Sequence, residues 1–438
     1  MADKVVLGLD IGTSRIKFAE ARMTRGGPVI TNAGIGMTPR DTIANGVIVD
    51  PGTLGSAVRE LLSAHGVGTK QVISSVASQS ALVVRPIELP RMTTEELEDT
   101  MKWEVDRHIP FAASEVVMSY QPLIPPEQLP EEATNMEVLL AVAQEDMIEA
   151  HVQTLFSAGL NPIVLDVEPL SACRSLVDID RDRGAYDSTY ALLNIGATTT
   201  DLSIMRNGLL SFTRAIPLAG DNITNAIAEA LGYEFHEAER AKTEEGTVYV
   251  EGAPALEAPR TAEPTPAAEV GPPPPLEAEP PPLPEVEPPP PLESDEGPGK
   301  VFDLGADTEP AGPPPEKEPA PPPLPSIHKP TSGSPARQVY DAMLPTLGEL
   351  ATEIRRSIEY YVNRYPDSGV DKVLLFGGTA RLPHFAEFIG SEIGLATVVG
   401  NPFQRLTIDQ SNVTVDIVED DACYMPIVVG LAIRDMLE

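Results

Sequence analysis

Cysteine is nearly missing from this chain. Cys173 and Cys423 are two in 438 residues and share no paired spacing, so neither a disulfide framework nor a thiolate metal site is indicated, and a reducing cytoplasm fits best. Basic residues are also few, 31 Lys and Arg against 66 Asp and Glu, for a formal charge of −35. So acidic a chain lacks the basic footprint that nucleic acid or an anionic membrane requires, and no nucleic-acid partner is expected. No apolar run approaches ~20 residues, and the start, with Asp3 and Asp10 flanking a short apolar stretch, is not a secretory signal. No direct membrane insertion is expected, so any membrane association would come through a partner. Tryptophan is reduced to Trp103. The length exceeds one ordinary core; at roughly 150 residues per domain, two or more domains are expected.

What is present is organised around residues 5–18, V-V-L-G-L-D-I-G-T-S-R-I-K-F. Val5, Val6, Leu7 and Leu9 form the near-continuous apolar run of a strand covered on both faces, which puts Asp10 at its carboxyl end. Gly12 allows a positive φ and a close approach of main chain to ligand, while Thr13 and Ser14 add hydroxyls beside their own N–H groups. Lys17, on the next strand, brings a cation toward the same place. One reading is a phosphate cradled by backbone amides, with Asp10 holding a hydrated divalent cation. The other is an ordinary hairpin with a polar tip.

Further along, a strand over 29–35, a helix opened by Pro51 with Leu54, Val58, Leu61 and Leu62 on one face, and a strand over 71–76 make half of an α/β layer. A β-α-β-β unit over 81–144 follows, its helix capped by Thr93 and Glu96 and carrying Leu97, Met101 and Val105. Trp103 on this helix reads as a core anchor, with a partner contact as the lesser reading. Helix 145–158 points Met147, Ile148, Val152, Leu155 and Phe156 inward, a buried strand covers 161–166, and V-E-P-L-S-A-C starts a short helix at Glu168. The opening pattern then recurs: strand 190–195, the turn Gly196-Ala197-Thr198-Thr199-Thr200, and strands over 201–205 and 209–216. Two such turns argue for a duplicated domain with one phosphate-facing turn per half. Gly220 precedes a helix, whose N-terminus is a ready phosphate site. Past a second helix ending near Gly246, the composition changes. Residues 247–335 hold 28 of the 46 prolines, with 16 acidic and 4 basic residues. Their scattered apolar residues cannot repay ordering entropy, so this is read as a disordered acidic insertion of polyproline II character, a spacer or tolerated loop more than a docking site. The fold resumes with a helix from about Tyr340, broken or restarted at Pro345. A buried strand over 372–376 leads into Gly377-Gly378-Thr379-Ala380-Arg381, whose two glycines let a flat ligand edge lie against the backbone. A terminal helix over 423–437 is expected.

These residues resemble the actin and seventy-kilodalton heat-shock ATPase superfamily. L-D-I-G-T-S-R-I-K looks like the first phosphate loop, V-E-P-L-S-A the first connecting helix, and N-I-G-A-T-T-T-D-L-S-I the second phosphate loop. E-A-E-R-A-K looks like the adenosine-side helix and G-G-T-A-R-L-P the adenosine loop. The unit at 81–144, with W-E-V-D-R-H-I-P-F, D-V-E-P-L and E-I-R-R-S-I-E-Y-Y, is similar to the FtsA and PilM branch, and within it to the PilM family of type IV pilus assembly proteins. The resemblance implies an α/β, actin-like duplicated ribonuclease-H-type fold with an inserted β-α-β-β subdomain and a disordered Pro-rich insertion. Its expected parts are subdomain 1A (1–80 and 145–188), 1C (81–144), 2A with the start of 2B (189–246), the insertion (247–335), the rest of 2B and 2A (336–421), and a terminal helix (422–438) returning to 1A.

The resemblance also implies ATP and Mg²⁺ as ligands. Asp10 would organise the Mg²⁺ shell through water and share catalysis with Glu168, which matches the position that in hydrolytic relatives orients water or a hydrated cation. Gly12, Thr13, Ser14 and Lys17 would hold phosphates, opposed by Gly196, Ala197 and Thr198, with Gly220 near them. Glu239 and Lys242 would reach ribose or adenine, and Gly377, Gly378, Thr379 and Arg381 would close the base pocket. The implied partners are the N-terminal cytoplasmic peptide of a PilN-type inner-membrane protein, bound in a groove beside the inserted subdomain, and other pilus-machine components; self-association stays open. The implied location is cytoplasmic, at the inner face of the inner membrane. Two departures from the pattern stand out. Asn194 occupies the place of an acid, and Ala197 and Thr198 the places of glycines; an amide cannot act as a carboxylate base. Tight nucleotide binding with slow or absent turnover is therefore expected. The alternatives are an FtsA-like division protein, whose discriminating basic amphipathic tail is not found after Leu437, a type II secretion scaffold, and a sugar-kinase-like phosphotransferase, for which 81–144 offers no catalytic carboxylate.

Overall fold

The structure, a computed structural model, describes residues 5–77, 81–108, 111–249, 334–366 and 368–437. The expected disordered insertion lies, over 250–333, outside the described residues.

Strands β1 (Val5–Ile11), β2 (Arg15–Thr24) and β3 (Gly27–Met37) form an antiparallel meander. A small hairpin, β4 (Ile43–Ala44) and β5 (Val47–Ile48), leads to α1 (Pro51–Ala64). The start of α1 is set by Asp50, whose side chain accepts from the Thr53 amide, and by Pro51, whose missing N–H is no loss in the first turn. Strand β6 (Gln71–Val76) joins β1 in parallel.

The next segment is a separate antiparallel sheet. Strands β7 (Leu82–Pro90), β8 (Val116–Pro122) and β9 (Asn135–Gln144) take the order β7-β9-β8, with α2 (Thr94–His108) between β7 and β8. The capping box forms, Thr93 N donating to Glu96 and Glu96 N to Thr93 Oγ1. Leu97 and Met101 bury against Ile87, Met136, Val138 and Leu140. Trp103 is not a core anchor but 77 % exposed. Two positions beyond Met101 is about 200° further round a helix, which turns the indole away from that core.

Helix α3 (Glu145–Ser157) then leads to β10 (Asn161–Val167), parallel to β6, and α4 (Glu168–Leu176). The buried residues of α3 are Met147, His151, Thr154 and Leu155. Phe156, expected inside, is exposed, because it stands about 100° past Leu155. Strand β10 is not fully buried either: it pairs only with β6, at the sheet edge, and leaves Ile163 exposed.

The second half repeats the plan. Strands β11 (Thr189–Ile195), β12 (Thr200–Arg206) and β13 (Leu209–Ile216) form a second antiparallel meander. They are followed by α5 (Gly220–Leu231), α6 (Phe235–Glu245) and α7 (Pro335–Arg364). Helix α7 starts five residues earlier than expected, capped by Ser334, and continues through Pro345. Pro345 is exposed, so the bond it removes lies where water can replace it. Val248, assigned from the sequence to the insertion, is instead buried in the second core, its amide donating to the Pro383 carbonyl.

Strand β14 (Lys372–Phe376) joins β11 in parallel; α8 (Phe385–Ile393) and β15 (Thr397–Val399) follow. The chain then returns to the first half: β16 (Thr407–Ile408) adds to β3, and after the short α9 (Val415–Val418), α10 (Pro426–Ala432) covers the first sheet. The single terminal helix expected here is divided into α10 and flanking 3-10 turns at Ala422–Tyr424 and Arg434–Met436. Gly8 and Gly430 make this cover fit. A Cβ on Gly8 would lie 2.5 Å from the Val428 carbonyl, and one on Gly430 would lie 1.7 Å from the Ser171 carbonyl on α4.

The two large sheets run β10-β6-β1-β2-β3-β16 and β13-β12-β11-β14-β15. Apart from β16, each is one meander followed by two parallel strands added beside its first strand. This is the duplicated, actin-like α/β architecture, with β7-β9-β8 inserted in the first half.

Candidate functional site

The two glycine turns occupy equivalent ends of the two halves. In the first, Gly12 N donates to Arg15 O at 3.0 Å; in the second, Gly196 N donates to Thr199 O at 3.0 Å. Both bonds close a four-residue turn at the carboxyl end of a central strand. Among the described residues, the amides of Thr13, Ser14, Ala197 and Thr198 donate to no backbone carbonyl. The carbonyls around them are used: Thr38 bonds Gly12 O and Ser14 O, Gly220 N bonds Gly196 O, and Asp221 N bonds Ala197 O. Each turn thus presents amide donors while two of its carbonyls are already bonded, a polarity that favours an anion. Gly12 does not use a positive φ. Its role is space, because a Cβ there would sit 3.0 Å from Lys17 Nζ and 3.1 Å from Arg15 O.

Asp10 and Lys17 face each other across β1 and β2, and Lys17 Nζ bonds Asp10 Oδ2 at 2.7 Å. The same register in the second half, 184 residues on, holds Asn194 and Asp201. Asn194 Nδ2 donates to Glu168 Oε2 at 3.3 Å. Burial first, then the negative charges of Asp10 and Asp201, hold the Glu168 carboxyl well above its usual range, against the pull of Lys17 and Asn194. Burial likewise pushes Asp201 up to about 7, opposed by the Thr199 hydroxyl. Glu168, Asn194, Asp201 and Arg214 line a cavity of about 20 Å³, room for one water. Sequence reasoning missed Asp201. Its signal was in plain view, since strand pairing across a four-residue turn sets 201 opposite 194.

Gly220, at the first turn of α5, fits between three groups. A Cβ would meet Thr379 Oγ1 at 2.9 Å, Gly196 O at 3.1 Å and Lys242 Nζ at 3.5 Å. Thr379 Oγ1 donates to Gly196 O at 3.2 Å, tying the Gly377-Gly378 loop to the second phosphate-type turn. Lys242 is buried and bonds Gly220 O, Thr224 Oγ1 and Glu239. Thr224, one helical turn beyond Gly220, was not foreseen. Gly377 has φ +90°, and a Cβ there would lie 2.5 Å from Ile195 O. Gly378 passes Tyr424, whose ring also receives the Arg15 guanidinium at 5.2 Å, a contact between the first turn and the loop of the second half. Arg381 is set apart, half-exposed and paired with Asp421 at 3.3 Å. The structure thus links Asp10 with Lys17, and Glu168 with Asn194, while Gly196, Gly220, Lys242, Gly377 and Thr379 pack together around the second turn.

The family model described as Type IV pilus assembly protein PilM matches residues 8–248. That for Cell division protein FtsA matches 191–416. FtsA of Bacillus subtilis is 25 % identical over 272 residues, 57 % of this chain and 60 % of that protein. FtsA of Pseudomonas aeruginosa is 27 % identical over 261 residues, 55 % of this chain and 60 % of that protein. The chain thus spans about three fifths of the length of these curated relatives. Among solved structures, a PilM-PilN type IV pilus biogenesis complex superimposes with a TM-score of 0.70 at 22 % identity, over 98 % of each chain. That likeness shows the fold. With the matched model running from β1 through the inserted sheet to the end of α6, the chain belongs to the PilM family of type IV pilus assembly proteins.

Proposed function

We propose that this chain is an actin-like scaffold of the type IV pilus assembly machinery that binds ATP with Mg²⁺ in the cleft between its two glycine turns. The observation that carries the reading is the pair of equivalent glycine turns, four of whose amides, among the described residues, donate to no backbone carbonyl. The first turn of α5 lies beside the second glycine turn, Gly220 N donating to Gly196 O, and Lys17 lies two residues past the first turn. Asp10 would hold the cation's hydration shell, and the cation would offset charge on the phosphates.

Hydrolysis is slow or absent in this reading. A general base must be deprotonated, and the site favours the protonated form of Glu168. Asn194 beside it cannot take a proton at all. A fluorescent ATP analogue and a phosphate-release assay on the full chain test both parts. Asp10→Ala should weaken nucleotide binding at least about tenfold, and turnover on the order of 1 s⁻¹ or faster would overturn the non-hydrolytic reading.

The partner in this proposal is the N-terminal cytoplasmic segment of a PilN-type inner-membrane protein, which would hold the chain at the inner face of that membrane. Trp103, exposed on α2 of the inserted sheet, supports a partner surface there. Among the described residues no helix is long and apolar enough to cross a membrane. A pulldown with that segment, with and without ATP, tests the partner, and absence of binding in both states would count against it.

A further inference from the structure

We propose that Tyr424 is a strap between the two halves, one ring that seats the Gly377-Gly378 loop of the second half against the Arg15 side chain of the first turn and so slows exchange of a bound nucleoside triphosphate. This rests on the nucleotide-binding reading above.

Tyr424 stands where the two cores meet. It ends the 3-10 turn Ala422–Tyr424, just before α10, which packs on β1, β2 and β6 of the first sheet. Within these few residues the chain alternates between cores: Ala422 and Met425 are buried in the first, Cys423 in the second, and Tyr424 packs against both. The loop rests on this segment along its length. Gly377 N donates to Cys423 O at 2.8 Å, and Arg381 pairs with Asp421 at 3.3 Å. Between them, Gly378 passes so near the Tyr424 ring that a Cβ would lie 3.0 Å from Cε1. Thr379 Oγ1 bonds Gly196 O at 3.2 Å, which ties the same loop to the second turn.

Arg15 supplies the other end. It is the last residue of the first turn, and its carbonyl accepts from Gly12 N. Acids outnumber bases 66 to 31 in this chain, yet among the described residues no carboxylate pairs with Arg15. Its guanidinium lies 5.2 Å from the centre of the Tyr424 ring, with Nη1 3.6 Å from Met37 Sδ. A weakly hydrated guanidinium over an aromatic face is held by the ring's quadrupole. Opening that carries the loop away from the first turn must part the ring from Gly378 or from Arg15. A cleft between two halves exchanges its ligand by opening, so a contact broken on opening slows entry and exit alike.

The test is stopped-flow binding and release of a fluorescent ATP analogue by the full chain in Mg²⁺. Tyr424→Leu and Arg15→Met are each expected to raise the association and dissociation rates together, by about threefold to tenfold, with Kd changed less than about threefold. Tyr424→Phe, which keeps the ring and loses the hydroxyl, should exchange at the wild-type rate. Because the two side chains form one contact, the double variant Tyr424→Leu with Arg15→Met should exchange no faster than the faster single variant. If the melt of Tyr424→Leu shows that it does not fold, Arg15→Met and Tyr424→Phe decide the question. Wild-type rates in Arg15→Met overturn the inference and leave nucleotide binding standing. So does a loss of affinity carried by dissociation alone, which would make these side chains ligand contacts, and so do rate effects that multiply in the double variant. Exchange in Tyr424→Phe as fast as in Tyr424→Leu would trace the effect to the hydroxyl and overturn it too. No nucleotide binding by the wild-type chain overturns the reading beneath it, and the inference with it.

Discussion

Thr213 on β13 donates its hydroxyl to the carbonyl of Val84 on β7 at 2.6 Å. Strand β7 is an edge of the inserted sheet, which is joined by chain connectivity to the first half, while β13 is an edge of the second sheet beside the strand that carries Asp201. The inserted unit is thus tied to both halves of the cleft.

Replacing Thr213 with valine keeps the shape and deletes the donor. It should cost about 1 kcal/mol in denaturant unfolding and raise amide exchange along β7, while Thr213→Ser stays near wild type. Unaltered exchange in β7 would mean the bond does not hold the inserted sheet.

Gly430 and Gly348 should respond to alanine in opposite directions. At Gly430 a methyl would meet the Ser171 carbonyl at 1.7 Å, so α10 must lift from α4, at about 3 kcal/mol or more. At Gly348, inside α7, nothing lies within 4 Å of the added atom. There alanine restricts the unfolded chain and should stabilise by about 0.5–1 kcal/mol. Thermal melts of the two variants check both signs.

His151 makes stability depend on pH. It is buried on α3 with its Nε2 2.8 Å from Ser74 Oγ, and Ser74 gives its own proton to the Leu9 carbonyl. The imidazole must therefore donate, as the neutral Nε2–H tautomer. Burial lowers its pKa from 6.5 to about 4. Between those values the unfolded chain binds the extra proton, so this contribution is complete above pH 6.5 and is lost as pH falls toward 4, by about 3 kcal/mol. Denaturant midpoints across that range should fall with pH less steeply in His151→Gln.

Cys173 and Cys423 are both buried. Burial, then Asp178, holds the Cys173 thiol well above its usual range, and burial pushes Cys423 up to about 12. Near neutral pH neither should react with iodoacetamide in the native protein, and both should react after unfolding in guanidinium. Native-state labelling of Cys423 at the unfolded rate would contradict its packing behind Gly377, whose amide it accepts at 2.8 Å.

Much of this molecule was legible from spacing. The apolar run before Asp10, the Thr93–Glu96 box and the repeated glycine turns each reflect interactions within a few residues, and all three are in the structure. Errors fell where burial depends on what lies opposite. Phe156 and Trp103 are apolar, but the cores beside α3 and α2 are filled from other positions. Pro345 read as a break, yet its helix packs along one side and leaves the proline in solvent. His151 and Thr224 carry no sequence mark that sets them apart from surface polar residues; partners far away in the chain bury them.

The sequence by itself determined the duplicated plan, because strand, turn and strand are local patterns, and it located the two turns and the glycines they need. Tertiary structure decided how charge is distributed in the cleft. The protonation of Glu168 depends on Asp10, Lys17, Asn194 and Asp201, which come from segments far apart in the chain. Electrostatic energy falls with distance and rises with burial, and neither is written in residue order. The hairpin that sets Asp201 opposite Asn194 is local, but only the packing of α4 against β11 brings Glu168 to that pair.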